Sequence, residues 1–211
     1  MLGPKVSIIT VNLNDAEGLE KSIQSVLKQT KKGFEFIVID GASKDDSPNV
    51  INKYRGELTY AVSEKDSGIY EAMNKGIRQA KGDYCLFLNS GDRLYAADTL
   101  KQLAAADFSA DMVYGMRYVD DGTRVDAMPH LNPERITFKS FISTSLPHQC
   151  TLIKRSLFEK IGYYNEKYKI VSDWEFSLLA LFKYNCSLEA LDIPEVTESM
   201  DLSDSPLADG G

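Results

Sequence analysis

The amino-acid sequence predicts an α/β fold in which a mostly parallel mixed sheet lies between two layers of helices. Between residues 5 and 88, short apolar runs alternate with segments of helical period. The apolar runs are rich in β-branched residues, which is typical of strands that are buried on both faces. Asp40 and Asp92 follow two of these runs. Because such sheets bind ligands beyond the carboxyl ends of their strands, the sequence predicts a ligand site at that edge.

The first half of the chain divides into strand–helix units with clear boundary signals. The predicted strands are residues 5–11, 34–39, 58–62 and 84–88. The helices between them are predicted to begin after a cap at Asn14, at Ser47-Pro48 and after Asp66-Ser67. Gly56 and Gly82 mark the ends of the second and third helices. The core-facing positions of the three helices are Leu19, Ile23, Val26, Leu27, Val50, Ile51, Tyr54, Ile69, Met73 and Ile77.

Beyond Asp92 the alternation becomes irregular. Strand-like residues 112–119 and 123–128 flank Asp120-Asp121-Gly122, which predicts a β-hairpin. Helices are predicted near residues 99–105, 133–141, 156–161 and 172–184, with a further strand at 146–153. Residues 1–193 are expected to form one domain. The segment 194–211 is rich in Asp, Ser, Pro and Gly, so it is expected to be a flexible tail.

Charge and cysteine content exclude several functional classes. The net charge of −7 argues against a general nucleic-acid surface, which requires clustered Lys and Arg. The three cysteines lack the spacing of a zinc site or a redox pair, so a reducing cytoplasm is expected. No apolar run approaches the ~18 residues of a membrane span, so any membrane association is expected to be peripheral.

Four polar stretches carry the chemical information. They are residues 38–43 (Val-Ile-Asp-Gly-Ala-Ser), 74–76 (Asn-Lys-Gly), 88–92 (Leu-Asn-Ser-Gly-Asp) and 172–175 (Ser-Asp-Trp-Glu). Together they resemble the inverting glycosyltransferases of family 2, and the resemblance extends over residues 6–184. It is strongest to bacterial enzymes of capsule, exopolysaccharide or lipopolysaccharide assembly. It implies the GT-A (Rossmann-like) three-layer sandwich and transfer of a sugar from a nucleotide-diphosphate donor, expected to be a UDP-sugar, to a hydroxyl of a glycan or lipid-linked glycan acceptor.

The resemblance also implies a set of donor-binding residues. Asp40 matches the residue that accepts a hydrogen bond from the base, whereas Gly41 stands where the family often has a second Asp. Asp40 as a simple turn cap, Asp66 as a helix cap and Asn74 as an ordinary helix residue remain open alternatives. The full donor set is Thr10, Asn12, Asp40, Asp66, Asn74, Asn89 and Asp92.

Residues 88–92 occupy the place of the D-x-D motif of this family. A departing nucleoside diphosphate is highly charged, and a hard divalent cation can neutralise it. Only Asp92 keeps a carboxylate here, because Asn89 and Gly91 stand at the other positions. One carboxylate is enough for Mn²⁺ or Mg²⁺ if the phosphates supply other ligands. A metal bound through Asp92 is therefore expected, and a simple turn aspartate is the alternative.

Asp173 matches the catalytic base of the family. An inverting transfer is a single displacement in which the acceptor hydroxyl loses its proton, so one base near the acceptor is enough. An ordinary acid at a helix start would look the same in sequence. His148 and Gln149 resemble a loop that faces the diphosphate or acceptor, although a lone histidine is often structural. Trp174 is expected either as an acceptor platform or as a core residue.

Rival functions are separated by specific sequence features. A non-catalytic nucleotide-sugar binding module remains an alternative because the D-x-D motif is depleted. A nucleotidyltransferase would need a Gly-rich basic loop after the first strand, and residues 12–15 (Asn-Leu-Asn-Asp) do not provide it. A dinucleotide-dependent oxidoreductase would need G-x-G-x-x-G at that place, which is also missing.

Overall fold

The computed structural model describes residues 5–106, 108–120, 124–127, 132–142 and 145–199. The strands are β1 (Val6–Asn12), β2 (Glu35–Asp40), β3 (Tyr60–Ser63), β4 (Tyr84–Phe87), β5 (Arg93–Leu94), β6 (Met112–Asp120), β7 (Val125–Ala127), β8 (Thr151–Lys154) and β9 (Leu188–Ser199). The α-helices are α1 (Ala16–Leu27), α2 (Ser47–Tyr54), α3 (Ile69–Gln79), α4 (Thr99–Ala105), α5 (Phe138–Ile142), α6 (Ser156–Ile161) and α7 (Ser172–Leu178).

The strands form one mixed sheet in the order β3-β2-β1-β4-β8-β6-β9-β5, with β7 paired to β6. Strands β1 to β4 are mutually parallel, and β8 joins β4 to β6 through antiparallel pairings on both sides. Strand β9 is parallel to β6, whereas β5 and β7 are antiparallel to their neighbours. The mostly parallel mixed sheet expected from the sequence is confirmed.

Helices cover both faces of the sheet because residues of each central strand alternate between two cores. Ile8 of β1 packs with Leu19, Ile23 and Val26 of α1, and α2 and α4 contribute to the same core. Ile9 of β1 packs on the opposite face with Met73 of α3, together with residues of α6 and α7. The result is the expected three-layer sandwich. Burial on both faces explains why the strands read as continuous apolar runs.

Local differences from the expected elements concern helix starts and strand lengths. The cap of α1 is Asp15, whose Oδ1 accepts a hydrogen bond from the Gly18 N–H at 2.9 Å. Asn14 instead has a left-handed φ of 54° and accepts a bond from the Lys44 N–H, so it cannot be the cap. The strand expected over 146–153 is shorter, because a 3₁₀ turn at His148–Cys150 precedes β8. The expected helix over 172–184 continues after α7 as a π-helical turn, Leu179–Lys183.

The expected tail boundary also changes. Strand β9 continues to Ser199, so the loop expected from Pro194 is wrong for residues 194–199. Pairing with β6 outweighs the weak local preference of these residues for a strand. The remainder of the expected tail, 200–211, lies outside the described residues. The antiparallel pairing of β6 with β7 confirms the hairpin strands, whereas its turn at 121–123 lies outside the described residues.

Two further expectations concern cysteines and the membrane. Cys85, Cys150 and Cys186 are buried free thiols. Within the described ranges, the structure contains no helix with the length and apolar character needed to span a bilayer.

Candidate active site

A cleft of about 500 Å³ lies where β1 and β4 end. It lies at the edge of the sheet where the sequence predicts a ligand site. Leu13 and Ile69 provide exposed apolar surface on its wall, with 60% and 39% of each residue exposed. The lining residues are Val11, Asn12, Leu13, Asp15, Asp66, Gly68, Ile69, Ala72, Asn89 and Ser90. Asn12, Asp66 and Asn89 of the expected donor set are therefore brought together.

Asp40 organises the loops beneath this cleft. Its carboxylate is fully buried and accepts hydrogen bonds from the Asn12 side-chain amide (2.7 Å), the Ser63 hydroxyl (2.5 Å) and both the backbone N–H and hydroxyl of Ser43. Burial alone would raise the pKa of Asp40, but the bonds from Ser43, Ser63 and Asn12 outweigh it and lower that pKa. Because these contacts are all within the protein, the structure supports a positioning role, and direct base contact by Asp40 stays a prediction.

Asn12 connects Asp40 to the loop that follows β4. Its amide nitrogen donates to Asp40, and its Oδ1 accepts a hydrogen bond from the Ser90 hydroxyl at 2.7 Å. The side chain thus ties the loop after β2 to the loop after β4. A satisfied amide at this junction holds the wall of the cleft in one conformation.

Asp66 lies in the cleft against Gly41. Its Oδ1 accepts a hydrogen bond from the Gly68 N–H at 3.1 Å, which closes a tight turn before α3, whereas the N-cap position of α3 is Gly68. A Cβ at position 41 would be 2.8 Å from Asp66 Oδ2. Burial, followed by the charges of Glu71 and Asp40, raises the pKa of Asp66 above its usual range despite the Gly68 bond and Lys75. Glycine at position 41 therefore leaves space for a partly desolvated carboxylate that faces the cleft.

Thr10 and Asn74 lie away from the cleft. Thr10 is fully buried in β1, and its hydroxyl has no hydrogen-bond partner among the described residues. Asn74 is 1% exposed and bonds to both the backbone N–H and the carbonyl of Tyr164, and also to Glu166. Asn74 therefore fastens α3 to the segment that precedes α7, and neither residue is among those that line the cleft.

The loop that carries Asn89 and Asp92 is anchored from below by α1. The Ser22 hydroxyl lies 2.7 Å from the Asp92 carbonyl oxygen and 3.1 Å from that of Asn89. Asp92 is only 7% exposed. Within the described residues, no group of three or more His, Cys, Asp or Glu side chains is arranged to hold a metal. Asp92 supplies the single carboxylate that a cation could share with phosphate oxygens, and metal binding through Asp92 stays a prediction.

A chain of hydrogen bonds connects four side chains from different elements. The Tyr70 hydroxyl donates to Asp173 Oδ1 at 2.8 Å, and His148 Nδ1 lies 2.9 Å from Asp173 Oδ2. His148 Nε2 lies 3.1 Å from the side-chain nitrogen of Asn89, which lines the cleft. Burial alone would raise the pKa of Asp173, but the contacts with His148 and Tyr70 lower it to about 2. Burial and the same carboxylate raise the pKa of Tyr70 to about 12.

The backbone that presents Asp173 is strained. Val171 has a φ of 79°, a left-handed conformation that is unfavourable for a β-branched residue. Such strain costs on the order of 1–3 kcal/mol and persists where neighbouring contacts enforce it. Those contacts include the Ser172 hydroxyl, which accepts a bond from the Asn165 N–H at 2.6 Å. The segment 165–173 is thus fixed at both ends.

The remaining expected site residues are near this chain. Gln149 is half-buried in the same 3₁₀ turn as His148. The Trp174 indole donates to the Phe141 carbonyl at 3.1 Å and packs against the core, so its partly buried ring is anchored to α5. Tyr70 was not expected from the sequence. The sequence signal that could have indicated Tyr70 is its position four residues before Asn74 on α3. Residues at this spacing lie on the same face of a helix, and Asn74 was an expected site residue.

Comparison with known proteins decides the family. Residues 7–164 match the sequence profile of Glycosyl transferase family 2. The chain belongs to this family. It is therefore a glycosyltransferase.

Curated relatives in bacteria support the same assignment. A PGL/p-HBAD biosynthesis glycosyltransferase of Mycobacterium bovis is 35% identical over 184 residues, which cover 84% of this glycosyltransferase and 70% of the relative. An uncharacterized glycosyltransferase of Rickettsia typhi is 32% identical over 182 residues, covering 82% and 57% of the two chains.

Solved structures confirm the GT-A glycosyltransferase fold. S. aureus TarS 1–349 in complex with UDP gives a TM-score of 0.77 at 22% identity, over 93% of this chain and 61% of TarS. Mannosyltransferase PcManGT from Pyrobaculum calidifontis, in complex with GDP-Man and Mn²⁺, gives 0.72 at 18% identity, over 96% and 59% of the two chains. This glycosyltransferase thus spans about three fifths of the length of each of these two chains.

Proposed function

We propose that this glycosyltransferase moves a sugar from a nucleoside-diphosphate donor, expected to be a UDP-sugar, to a hydroxyl of a glycan or lipid-linked glycan, with inversion at the anomeric carbon. The observation that carries the proposal is the cleft beyond β1 and β4, with the chain from Asn89 through His148 to Asp173 at its side. It combines a space for the donor with a basic group for the acceptor, which a single-displacement transfer requires.

The residues that line the cleft support a nucleoside-diphosphate donor. Asp66 and the apolar side chains of Leu13 and Ile69 line one part of the cleft, which suits a polar nucleoside with a flat base. TarS has been solved with UDP and with UDP-GlcNAc, and PcManGT with GDP-Man. The shared fold makes these nucleotides the first ligands to test.

Asp92 is the residue that would hold a Mn²⁺ or Mg²⁺ ion together with the donor phosphates. The ion would neutralise the charge of the departing diphosphate. Asn12, Asp40 and Ser22 keep the two loops of the cleft in position. Asp173, whose carboxylate is held by contacts with Tyr70 and His148, would take the proton of the acceptor hydroxyl.

Calorimetry tests donor binding and metal dependence together. UDP and GDP are titrated into wild type and Asp92→Ala, with and without Mn²⁺. We expect wild type to bind one nucleotide markedly more tightly with Mn²⁺, and we expect Asp92→Ala to lose that dependence. Equal affinity in every metal comparison would remove Asp92 from the metal site. Binding of neither nucleotide would contradict the donor class.

Turnover separates an enzyme with this donor from a binding module for the same ligand. Many transferases pass the donor sugar slowly to water, so release of UDP from UDP-GlcNAc, or of GDP from GDP-Man, can be followed without knowing the acceptor. A wild type that binds a nucleotide-sugar tightly but never releases the nucleotide would favour the binding module.

A further inference from the structure

Large apolar side chains are exposed in two short segments next to the start of α7. One segment, residues 135–142, includes α5, and the other, residues 167–171, leads directly into α7. We call these two segments together the apolar–basic patch. Single exposed apolar residues need no explanation, whereas a cluster of them marks an interaction site. The exposed apolar side chains of the patch are Phe138 (57%), Ile142 (54%), Tyr168 (44%), Ile170 (76%) and Val171 (45%).

Both segments are held against the same part of the fold. The Trp174 indole, in the first turn of α7, donates to the Phe141 carbonyl of α5 at 3.1 Å. The ring of Phe138 packs edge-on against Phe182, with 5.5 Å between the ring centroids. Val171 directly precedes α7. The two segments therefore meet around the start of α7, which is the turn that carries Asp173.

The charge of the patch is opposite to that of the whole chain. The chain has a net charge of −7, yet residues 135–142 and 167–171 contain no Asp or Glu. Within the part of the chain that the structure describes, none of the cations of the patch is held in an ion pair. They also alternate with the apolar side chains along each segment. The four cations, all exposed, are Arg135, Lys139, Lys167 and Lys169.

We propose that the apolar–basic patch docks on a membrane surface that contains anionic lipids, and that it presents Asp173 to a lipid-linked acceptor in that membrane. This inference rests on the proposed function, and it selects the lipid-linked glycan from the two acceptor classes named there. The apolar side chains enter the boundary between headgroups and acyl chains. The long lysine and arginine side chains reach the lipid phosphates.

The same features disfavour other occupants of the patch. Lysine is depleted at the centre of protein–protein interfaces, whereas the lysines here alternate with the most exposed apolar residues. A second copy of the chain related by two-fold symmetry would place the four cations against the same four cations, which repel one another. A layer of lipid phosphates supplies the opposite charge to all four at once.

The dimensions of a bilayer fit this orientation. Val171 and Asp173 are two residues apart, which corresponds to at most about 7 Å along the chain. The polar region on each side of the hydrocarbon core is roughly 5–8 Å thick. When Ile170 and Val171 contact the acyl boundary, Asp173 therefore lies at the outer level of the headgroups. A glycan that is attached to a lipid presents its hydroxyls at that level.

Co-sedimentation with vesicles tests the docking. The vesicles consist of phosphatidylcholine alone or of an equal mixture of phosphatidylcholine and phosphatidylglycerol. We expect wild type to bind the mixed vesicles and to bind phosphatidylcholine much more weakly. The double variant Lys167→Gln/Lys169→Gln should bind the mixed vesicles about 25-fold more weakly, since each cation near an anionic surface contributes roughly fivefold. Phe138→Ser/Ile170→Ser should lose about tenfold or more through its apolar contacts.

Matched controls change the same residue types elsewhere. Lys28→Gln/Lys101→Gln removes two exposed lysines from α1 and α4, which pack on the opposite face of the sheet from α5 and α7. Val125→Ser removes a similarly exposed apolar side chain from β7. We expect both controls to bind like wild type, and urea unfolding curves that overlay show that all variants are folded. Equal losses in controls and patch variants would overturn the proposal, as would wild type that does not bind the mixed vesicles.

Trp174 reports which face of the protein meets the bilayer. It is the only tryptophan, and its partly buried ring lies between the two segments of the patch and is bonded to α5. We expect vesicles with brominated acyl chains to quench its fluorescence when wild type docks. Binding without quenching would show that another face docks and would overturn the proposal. A wild type that is dimeric by analytical ultracentrifugation, with a monomeric Phe138→Ser/Ile170→Ser variant, would make the patch an interface between copies and would also overturn it.

Vesicle binding requires neither donor nor turnover, so the docking proposal and the proposed function fail separately. Docking of a protein that binds neither UDP nor GDP would support the patch and contradict the proposed function. Nucleotide release from UDP-GlcNAc or GDP-Man by a protein that does not bind the mixed vesicles would support the transferase and overturn the docking.

Discussion

Replacing Asn74 by alanine tests the fastening between α3 and the segment that leads to Asp173. The Asn74 amide nitrogen donates to the Tyr164 carbonyl and to Glu166 at 2.9 Å each, and its oxygen accepts from the Tyr164 N–H at 3.0 Å. Alanine leaves two backbone groups of a buried residue without these partners. Each such group costs roughly 1–3 kcal/mol, and entry of water would recover part of that. We therefore expect Asn74→Ala to lower the free energy of unfolding by about 2–4 kcal/mol.

The measurement is urea unfolding followed by tryptophan fluorescence. Trp174 is the only tryptophan and packs against the same core as Tyr164, so its emission reports this region directly. Asn52→Ala is the matched control, because Asn52 is an exposed residue of α2. Asn52→Ala makes the same change in helix propensity, and we expect its free energy of unfolding to stay within about 0.5 kcal/mol of wild type. A loss below about 1 kcal/mol for Asn74→Ala, combined with weaker UDP binding, would refute the fastening and make Asn74 a donor ligand.

Three further outcomes follow from the site. Gly41→Ala places a Cβ 2.8 Å from Asp66 Oδ2, so the Asp66 carboxylate must move. We expect this displacement to weaken UDP binding about tenfold or more, as measured by calorimetry. Unchanged affinity for UDP would remove Asp66 from the donor site. Val171→Gly removes backbone strain of about 1–3 kcal/mol, and the added chain entropy of the unfolded state costs about 1 kcal/mol. We therefore expect urea unfolding to show equal or greater stability, while kcat falls. A clear loss of stability would contradict this expectation. The lowered pKa of Asp173 stabilises the fold above its ordinary value of 3.8, and we expect about 2 kcal/mol to disappear as the pH falls from 4 to 2. Asp173→Asn should lack that pH dependence, and parallel acid-unfolding curves for the two proteins would disprove it.

The family motifs could be found in the sequence because they are local. A buried parallel strand leaves a run of β-branched residues, and a polar residue directly after it marks the ligand edge. Asn12 and Asn89, which follow two such strands, line one cleft together with Asp66. It also gave the order of strands and helices as far as β4, since hydrophobic period and capping residues depend on near neighbours.

Elements that depend on distant partners were harder to infer. Strand β9 forms through its pairing with β6, and residues 194–199 carry little local strand signal. His148 lies in a 3₁₀ turn, where a continuous strand was expected. That difference matters for function, because the turn brings the ring to Asp173.

The sequence by itself determined the fold class, the family and the residue types available for chemistry, because periodicity and motif spacing are properties of the chain. Only the tertiary structure decided which side chains meet and which of them are buried. Asp40 and Asn74 match donor-binding positions in sequence, and the fold also gives both of them hydrogen-bond partners within the protein. The hydrogen bonds that Asp173 receives from Tyr70 and His148 cross 103 and 25 residues of chain. Hydrogen bonding and burial set the pKa of a side chain, and they are fixed only when these distant segments pack together.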